Sequence, residues 1–189
     1  MKKNWKKSKI IAFSLTLVLS GALLAGCGSG QTGTEAAENS ETETSAEELQ
    51  EYKAEGVGTF YLPEGFEMES GTSDDGGLPR TYAELTKGNM SIYVNRFGKE
   101  AYEAAGAALP ADLEEYSQRE NVKNGLPEGT EFAEDDYGNL CAEYTEDGNV
   151  YYQVLKAGTD AYGAMMIVYP EGEEPDGDIA LWASKAVLE

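Results

Sequence analysis

The sequence contains no histidine, and among its 189 residues it has only two cysteines, Cys27 and Cys141. Without histidine the chain cannot form a serine–histidine triad, a histidine-ligated metal site or a site that uses imidazole as general base. Two cysteines are also too few for a framework of several disulfide bonds. The length fits one ordinary globular domain or two very small ones.

Basic residues are scarce as well. The chain has 14 Lys and Arg against 35 Asp and Glu, a net charge of −21. Nucleic-acid binding needs many basic side chains to neutralise phosphates, so nucleic acid is not expected as a partner. A strongly acidic surface favours cationic partners instead.

Many of the basic residues lie at the N-terminus. Residues 1–9 contain five lysines and no acid, and residues 10–24 contain no charged residue. A basic segment followed by an apolar run of about 7–15 residues is typical of an export signal. A permanent transmembrane anchor, which is the alternative, would need about 20 apolar residues. The sequence therefore predicts a signal peptide over residues 1–26.

A short motif ends this signal. Leu24-Ala25-Gly26-Cys27 has an aliphatic residue, two small residues and a cysteine, and it resembles the lipobox of bacterial lipoproteins. The resemblance implies cleavage between Gly26 and Cys27 and attachment of a diacylglyceryl group to the Cys27 thiol. Two acyl chains hold a protein stably at a membrane, so the implied location is the outer face of the cell membrane. An ordinary exported protein with a chance cysteine is the alternative.

The composition changes again after Cys27. Residues 28–51 contain seven glutamates, no basic residue and no aromatic residue. Such a segment buries too little apolar surface to offset its ordering entropy. We therefore predict lipidated Cys27 and a disordered acidic tether over residues 27–51, followed by a single globular domain over residues 52–189. That domain has nine basic and 28 acidic residues, a net charge of −19.

Alternating polarity between turn residues predicts a domain rich in β-strands. The Asp147-Gly148 pair predicts a tight hairpin turn. The predicted strands cover residues 57–62, 66–70, 80–86, 90–97, 140–145, 150–157 and 162–169, with a weaker candidate at 130–134.

Two segments have helical spacing. Residues 99–121 are rich in Ala and Glu and are interrupted near Pro110, with Asp112 and Glu115 as a capping box. Residues 179–187 carry one apolar stripe, for which Asp176 or Asp178 is the expected N-cap.

Two predicted strands, residues 150–157 and 162–169, are apolar on both faces. A strand in a sheet with one solvated face alternates instead. These strands are therefore predicted to be covered on both sides, and the two helical segments are available as cover.

The order of these elements and the segment Phe60-Tyr61-Leu62-Pro63-Glu64-Gly65-Phe66 are similar to the PsbP-like domain, the family that includes a photosystem extrinsic subunit. The resemblance implies an α+β fold, in which an antiparallel sheet of about six strands is covered by helices on both faces. It carries over no catalytic residue, because the family's several roles share none. A small lipocalin-like β-barrel with a C-terminal helix is the alternative fold.

The domain lacks the usual patterns of catalytic residues. Cys141 has no histidine to activate it and lies in an apolar segment, so we interpret it as a core residue. The domain has no G-x-S-x-G or S-x-x-K motif. Its acidic loops could offer oxygen ligands to Ca²⁺, but none has EF-hand spacing. We therefore predict no metal site and no cofactor, with Ca²⁺ the one ion left open.

The twelve tyrosines, all after residue 51, raise a carbohydrate-binding alternative, since aromatic rings stack on sugars. Tyr151 and Tyr152 are adjacent, so they must point to opposite sides of their strand. At most one of them can contribute to a shared platform.

Together these features predict a non-enzymatic ligand-binding or protein-interaction module, exported and anchored to the membrane through diacylglyceryl-Cys27. An envelope protein or a cationic ligand is the expected partner. The alternatives are an accessory subunit of a membrane complex and an envelope hydrolase that uses two carboxylates.

Overall fold

The computed structural model describes residues 48–74 and 78–189. The predicted signal peptide, the lipobox with Gly26 and Cys27, and residues 28–47 of the predicted tether therefore lie outside the described residues. Within them, strands account for 47% of the residues and helices for 16%.

The described residues form ten strands and four short helices. In chain order these are β1 (Gln50–Ala54), β2 (Gly58–Leu62), β3 (Glu67–Ser73), β4 (Arg80–Lys87), β5 (Met90–Gly98), α1 (Lys99–Ala104), α2 (Leu113–Ser117), α3 (Glu120–Lys123), β6 (Ala133–Glu134), β7 (Leu140–Glu146), β8 (Asn149–Gly158), β9 (Ala161–Pro170), α4 (Ile179–Lys185) and β10 (Val187–Leu188).

Seven strands form an antiparallel sheet in the order β3-β4-β5-β9-β8-β7-β6. Most neighbours in this sheet are joined by hairpins, and the β7–β8 turn at Asp147 and Gly148 has positive φ at both residues, as the predicted hairpin requires. The pairing of β5 with β9 joins the two halves of the sheet across about 70 residues of chain. It requires glycine at Gly163, where a Cβ would lie 1.9 Å from the Asn95 carbonyl oxygen.

The other three strands form a small antiparallel sheet in the order β1-β2-β10. Together with α4, this sheet packs against one face of the seven-stranded sheet and encloses the main core. The largest fully buried side chains of this core include Phe60, Leu62, Leu85, Ile92, Val94, Val154, Met165, Ile167 and Trp182.

Helices α1 to α3 lie against the opposite face, at one end only. Buried Tyr116 of α2 and Val122 of α3 pack with Leu155 and Tyr162 of the sheet in a second, smaller core. The rings of Tyr116 and Tyr162 are 5.3 Å apart. The remaining part of this face carries half-buried side chains and no helix among the described residues.

The predicted fold, one sheet of about six strands with helices on both faces, is wrong. The structure has two antiparallel sheets, and on one side the large sheet is covered mainly by the small sheet. The predicted barrel is wrong too, because the strand order is linear and places β3 and β6 at open edges. The second sheet was missed because β1 begins inside the predicted tether and β10 is two residues long.

Most of the local predictions are confirmed. The predicted strands match β2 to β9 within a few residues, and the segment 99–121 is divided into three short helices on either side of Pro110. Asp112 caps α2 by accepting a hydrogen bond from the Glu115 backbone N–H at 2.8 Å. At α4 the cap is Asp178, which accepts from the N–H groups of Ala180 and Leu181.

Candidate functional site

We call the uncovered part of the second sheet face the open face. Because side chains alternate along a strand, the pairing register decides which residues point to it. Its members lie on β3, β4, β5, β9, β8 and β7 and include Glu67, Glu69, Arg80, Tyr82, Glu84, Tyr93, Asn95, Tyr144, Glu146, Tyr151, Gln153, Met166 and Val168.

Four tyrosines from four different strands lie on the open face, namely Tyr82, Tyr93, Tyr144 and Tyr151, and all are half-buried. Tyr144 and Tyr151 are paired across β7 and β8, and their rings stack with centroids 4.9 Å apart and planes 5° apart. Burial, and then the neighbouring Tyr151, raises the pKa of Tyr144. The Tyr144 hydroxyl is therefore neutral at physiological pH, and the two stacked rings form a flat aromatic surface.

Tyr82 and Tyr93 line the other half of the open face. Tyr82 lies over Gly71 of the edge strand β3, where a Cβ would be 3.1 Å from the Tyr82 hydroxyl oxygen. An aromatic ring over a glycine of an edge strand stabilises the pairing there. Tyr93 lies between Glu84 and Met166 in one row across three strands.

An open cleft of about 540 Å³ lies at this half of the face. It is lined by two tyrosines, Met166 and five polar residues that include Arg80, Glu84 and Asn95. The Arg80 Nε atom is buried and has no hydrogen-bond partner. Aromatic and apolar side chains with a few convergent polar groups are the usual composition of a binding site.

A polar cluster lies on the opposite side of the sheet, next to α4. The carboxylate of Asp135 accepts hydrogen bonds from the Tyr152 hydroxyl (2.5 Å), the Asn139 side-chain amide (2.8 Å) and the backbone N–H groups of Tyr137 and Asn139. Burial tends to raise the pKa of Asp135, but these hydrogen bonds together hold it below its usual value. The Asn139 amide also donates to the Ala180 carbonyl of α4 at 3.1 Å.

Cys141 and Lys156 lie beside this cluster. Burial raises the pKa of the half-buried Cys141 thiol, so the thiol is protonated at neutral pH. Lys156 donates to the Ala183 carbonyl of α4, and burial lowers the pKa of its ammonium group. Cys141 packs against the main core. Polar side chains near it donate hydrogen bonds to backbone carbonyl groups of α4 and so hold this helix in place.

A second cavity, of about 240 Å³, lies between the β4–β5 turn and residues 171–178. Its floor includes Phe66 and Trp182, whose rings are 6.3 Å apart in an edge-to-face arrangement. Lys87 closes one side, 5.8 Å from the Phe66 ring centroid and 3.0 Å from Asp176. This volume is below the range of about 300–1,000 Å³ that is usual for ligand sites, so the open face is the stronger candidate.

The acidic loops do not converge. Among residues 48–74 and 78–189, no group of three or more acidic or cysteine side chains is placed to hold a metal ion. The pair at residues 135–136 contributes Asp135 to the polar cluster and leaves Asp136 exposed. The site predicted at Cys27 lies outside the described residues, and in the described part of the chain no helix is long and apolar enough to cross a bilayer.

Sequence reasoning correctly separated Tyr151 from the buried Tyr152 but missed the open face. The signal that could have found it is the polarity of β4 and β5, where Tyr82, Glu84, Tyr93 and Asn95 alternate with buried aliphatic residues. Which strands lie side by side is not encoded in that alternation, so the four tyrosines could not be grouped.

The chain matches no protein-family model, no curated protein and no solved structure.

Proposed function

We propose that this chain is an exported protein, anchored by a lipid at the outer face of the cell membrane, whose domain binds a partner through the open face. In this proposal the protein is an interaction module and not an enzyme. The observation that carries it is the set of four half-buried tyrosines, with Met166 and Val168, that no other element covers among the described residues, on a sheet whose other face packs against the small sheet and α4.

Several physical arguments support binding at this face. Tyrosine and methionine are enriched in protein interfaces, and tyrosine buries a large area at low entropic cost. Uncovered apolar patches on a soluble domain commonly mark interaction sites. The rings of Tyr144 and Tyr151 are already stacked without a partner, and such preorganisation lowers the cost of binding.

The geometry of the open face bears differently on the two alternative functions. An accessory subunit of a membrane complex is a narrower form of the proposal, with one stoichiometric partner. An envelope hydrolase would need two convergent carboxylates, whereas among the described residues that line the open cleft Glu84 is the only carboxylate.

The anchor can be tested by Cys27→Ser in the full chain. We expect the unaltered protein in the membrane fraction with a diacylated N-terminal Cys27, detected by mass spectrometry of the N-terminal peptide. The variant should lose the acyl mass and remain uncleaved, because processing follows lipidation. Cys141→Ser is the matched control and should behave as the unaltered chain. An unmodified Met1 in a soluble native protein would contradict the anchor.

Binding through the open face can be tested by photo-crosslinking in cells. A benzoylphenylalanine at position 93 of the full chain should give a discrete crosslinked product. The same group at Tyr61, a tyrosine of the small sheet that contacts Glu51, should not. Equal crosslinking from both positions, or none from position 93, would contradict the proposed binding surface.

A further inference from the structure

We infer that the open face recognises a cationic polypeptide segment, so that the partner presents Lys or Arg side chains interleaved with apolar ones. This inference rests on the proposed function and specifies the chemistry of its partner. It is drawn from the charges of the face, their pairing and the dimensions of the uncovered surface.

The open face carries more negative than positive charge. Its carboxylates are Glu67, Glu69, Glu84 and Glu146, and among the described residues of the face its basic side chain is Arg80 alone. The domain as a whole has nine basic and 28 acidic residues. An anionic polymer or lipid surface is therefore repelled, and a cationic segment is attracted.

Two of these carboxylates are close to each other on neighbouring strands. Glu69 of β3 and Glu84 of β4 lie directly opposite each other in the antiparallel pair. Like charges at directly opposed positions destabilise a sheet. In the described part of the chain neither side chain has a hydrogen bond or an ion pair, although Glu84 is half-buried. A bound ammonium or guanidinium group would remove this repulsion.

Two tyrosines lie next to this pair of carboxylates. Tyr93 is the neighbour of Glu84 in the same row, and Tyr82 is two residues away on the same strand. A cation over a tyrosine ring within about 6 Å gains a cation–π attraction in addition to the carboxylate contact. A neutral saccharide would use the rings and donate hydroxyl hydrogen bonds to the carboxylates, but it would not cancel their charge. A polypeptide cation is therefore favoured.

The length of the tyrosine surface limits the size of the segment that it can bind. The tyrosines extend from Tyr82 on β4 to Tyr144 on β7, across five neighbouring strands in the order β4-β5-β9-β8-β7. At about 4.8 Å between strands this distance is roughly 19 Å. An extended segment of about six residues spans it, at about 3.3 Å per residue. The surface therefore suits a short linear segment with two or three cationic side chains.

Binding can be measured with the full chain, purified in detergent, and three ten-residue peptides that share the same phenylalanines. Their remaining alternate positions are Lys, Gln or Glu. We expect the Lys peptide to bind at least tenfold more tightly than the Gln peptide, the Glu peptide not to bind, and the affinity of the Lys peptide to fall as salt is raised. Equal affinity of the Lys and Gln peptides, or tighter binding of a chitin oligosaccharide, would overturn the inference.

Variants locate the binding. Glu69→Gln with Glu84→Gln should weaken the Lys peptide about fivefold or more, and so should Tyr93→Leu, which keeps apolar bulk and removes the ring. The matched controls are Glu55→Gln with Glu128→Gln, two exposed acids elsewhere, and Tyr61→Leu. Equal losses in the controls would show non-specific attraction to an acidic protein and would overturn the inference.

The crosslinking experiment separates the two levels of the proposal. If position 93 crosslinks a partner in cells and the yield is unchanged by Glu69→Gln with Glu84→Gln, the cationic chemistry is wrong and the binding surface stands. If position 93 crosslinks nothing, both are wrong. A yield that falls with the glutamate pair and survives the control pair supports both.

Discussion

Asp135 and Glu84 are both half-buried carboxylates, but hydrogen-bond donors surround Asp135 whereas a second carboxylate faces Glu84. Asp135 accepts four hydrogen bonds, which keep it ionised in the folded protein. Glu84 faces Glu69 across the β3–β4 pair and has no such partner among the described residues. Removing the charge of Asp135 should therefore lower the stability of the fold, whereas removing the charge of Glu84 should raise it.

Asp135→Asn should lower the free energy of unfolding by about 1–3 kcal/mol at pH 7, since its hydrogen-bond donors lose an ionised acceptor. A carboxyl group whose pKa is lower in the folded than in the unfolded state stabilises the fold above the unfolded pKa, about 3.9, and loses this contribution as the pH falls through the folded pKa. The difference between the two proteins should therefore shrink below about pH 4. Urea unfolding at pH 7 and pH 3 measures it. Asp136→Asn, an exposed neighbour, should show neither effect.

Glu84→Gln should raise the free energy of unfolding by about 0.2–1 kcal/mol in the absence of a partner, because it removes a like-charge pair across two strands. Thermal unfolding at low salt is the most sensitive measurement, since salt screens the repulsion. Glu67→Gln is the control, because Glu67 lies opposite the neutral Thr86. A destabilised Glu84→Gln protein would show that the carboxylate has a structural partner.

Helix α4 is held to the large sheet by polar contacts as well as by Trp182. Asp178 caps its first turn and accepts a hydrogen bond from the Tyr137 hydroxyl. Asn139 and Lys156 donate to carbonyl groups of the helix. These contacts come from β8 and from the β6–β7 loop, so the polar cluster fixes the position of a helix that is only seven residues long.

Asp178→Ala should lower the free energy of unfolding by about 1–2 kcal/mol, because two N–H groups of the first turn and the Tyr137 hydroxyl lose their acceptor. Chemical denaturation followed by Trp182 fluorescence reports on this helix. Asp176→Ala removes an exposed ion pair with Lys87 and should cost at most about 0.5 kcal/mol. Similar losses in the two variants would mean that the cap does not hold α4.

The molecule as a whole carries far more negative than positive charge. Residues 52–189 have a net charge of −19, and the four ion pairs observed among the described residues are all at least partly exposed. Mutual repulsion of this kind destabilises a compact state. Folding should therefore depend on ionic strength.

Raising NaCl from about 10 mM to 500 mM should increase the melting temperature by about 3–5 °C, which corresponds to screening of roughly 1 kcal/mol of repulsion in a domain of this length. Differential scanning calorimetry measures the shift. CaCl₂ at matched ionic strength should have the same effect as NaCl, because in the described part of the chain no acidic side chains are grouped to hold a common ion. An additional increase with CaCl₂ would reveal a calcium site.

The local features of this domain were readable from the amino-acid sequence. Polarity alternation located β2 to β9, the Asp147-Gly148 pair located a hairpin, and Asp112 marked the start of a helix. These features depend on contacts between residues that are at most a few positions apart. The net charge and the lipobox-like motif at Cys27 are likewise properties of composition and short sequence, and the anchor that the motif implies is a prediction.

The layers of the fold and the open face were decided by tertiary structure. The pairing of β5 with β9, the joining of β1 and β10 to β2, and the limited reach of α1 to α3 all involve segments far apart in the chain. Each depends on which surfaces bury one another best, and alternation within a strand contains no record of its neighbours. The four tyrosines and the opposed Glu69 and Glu84 became one surface only when the register of distant strands was set.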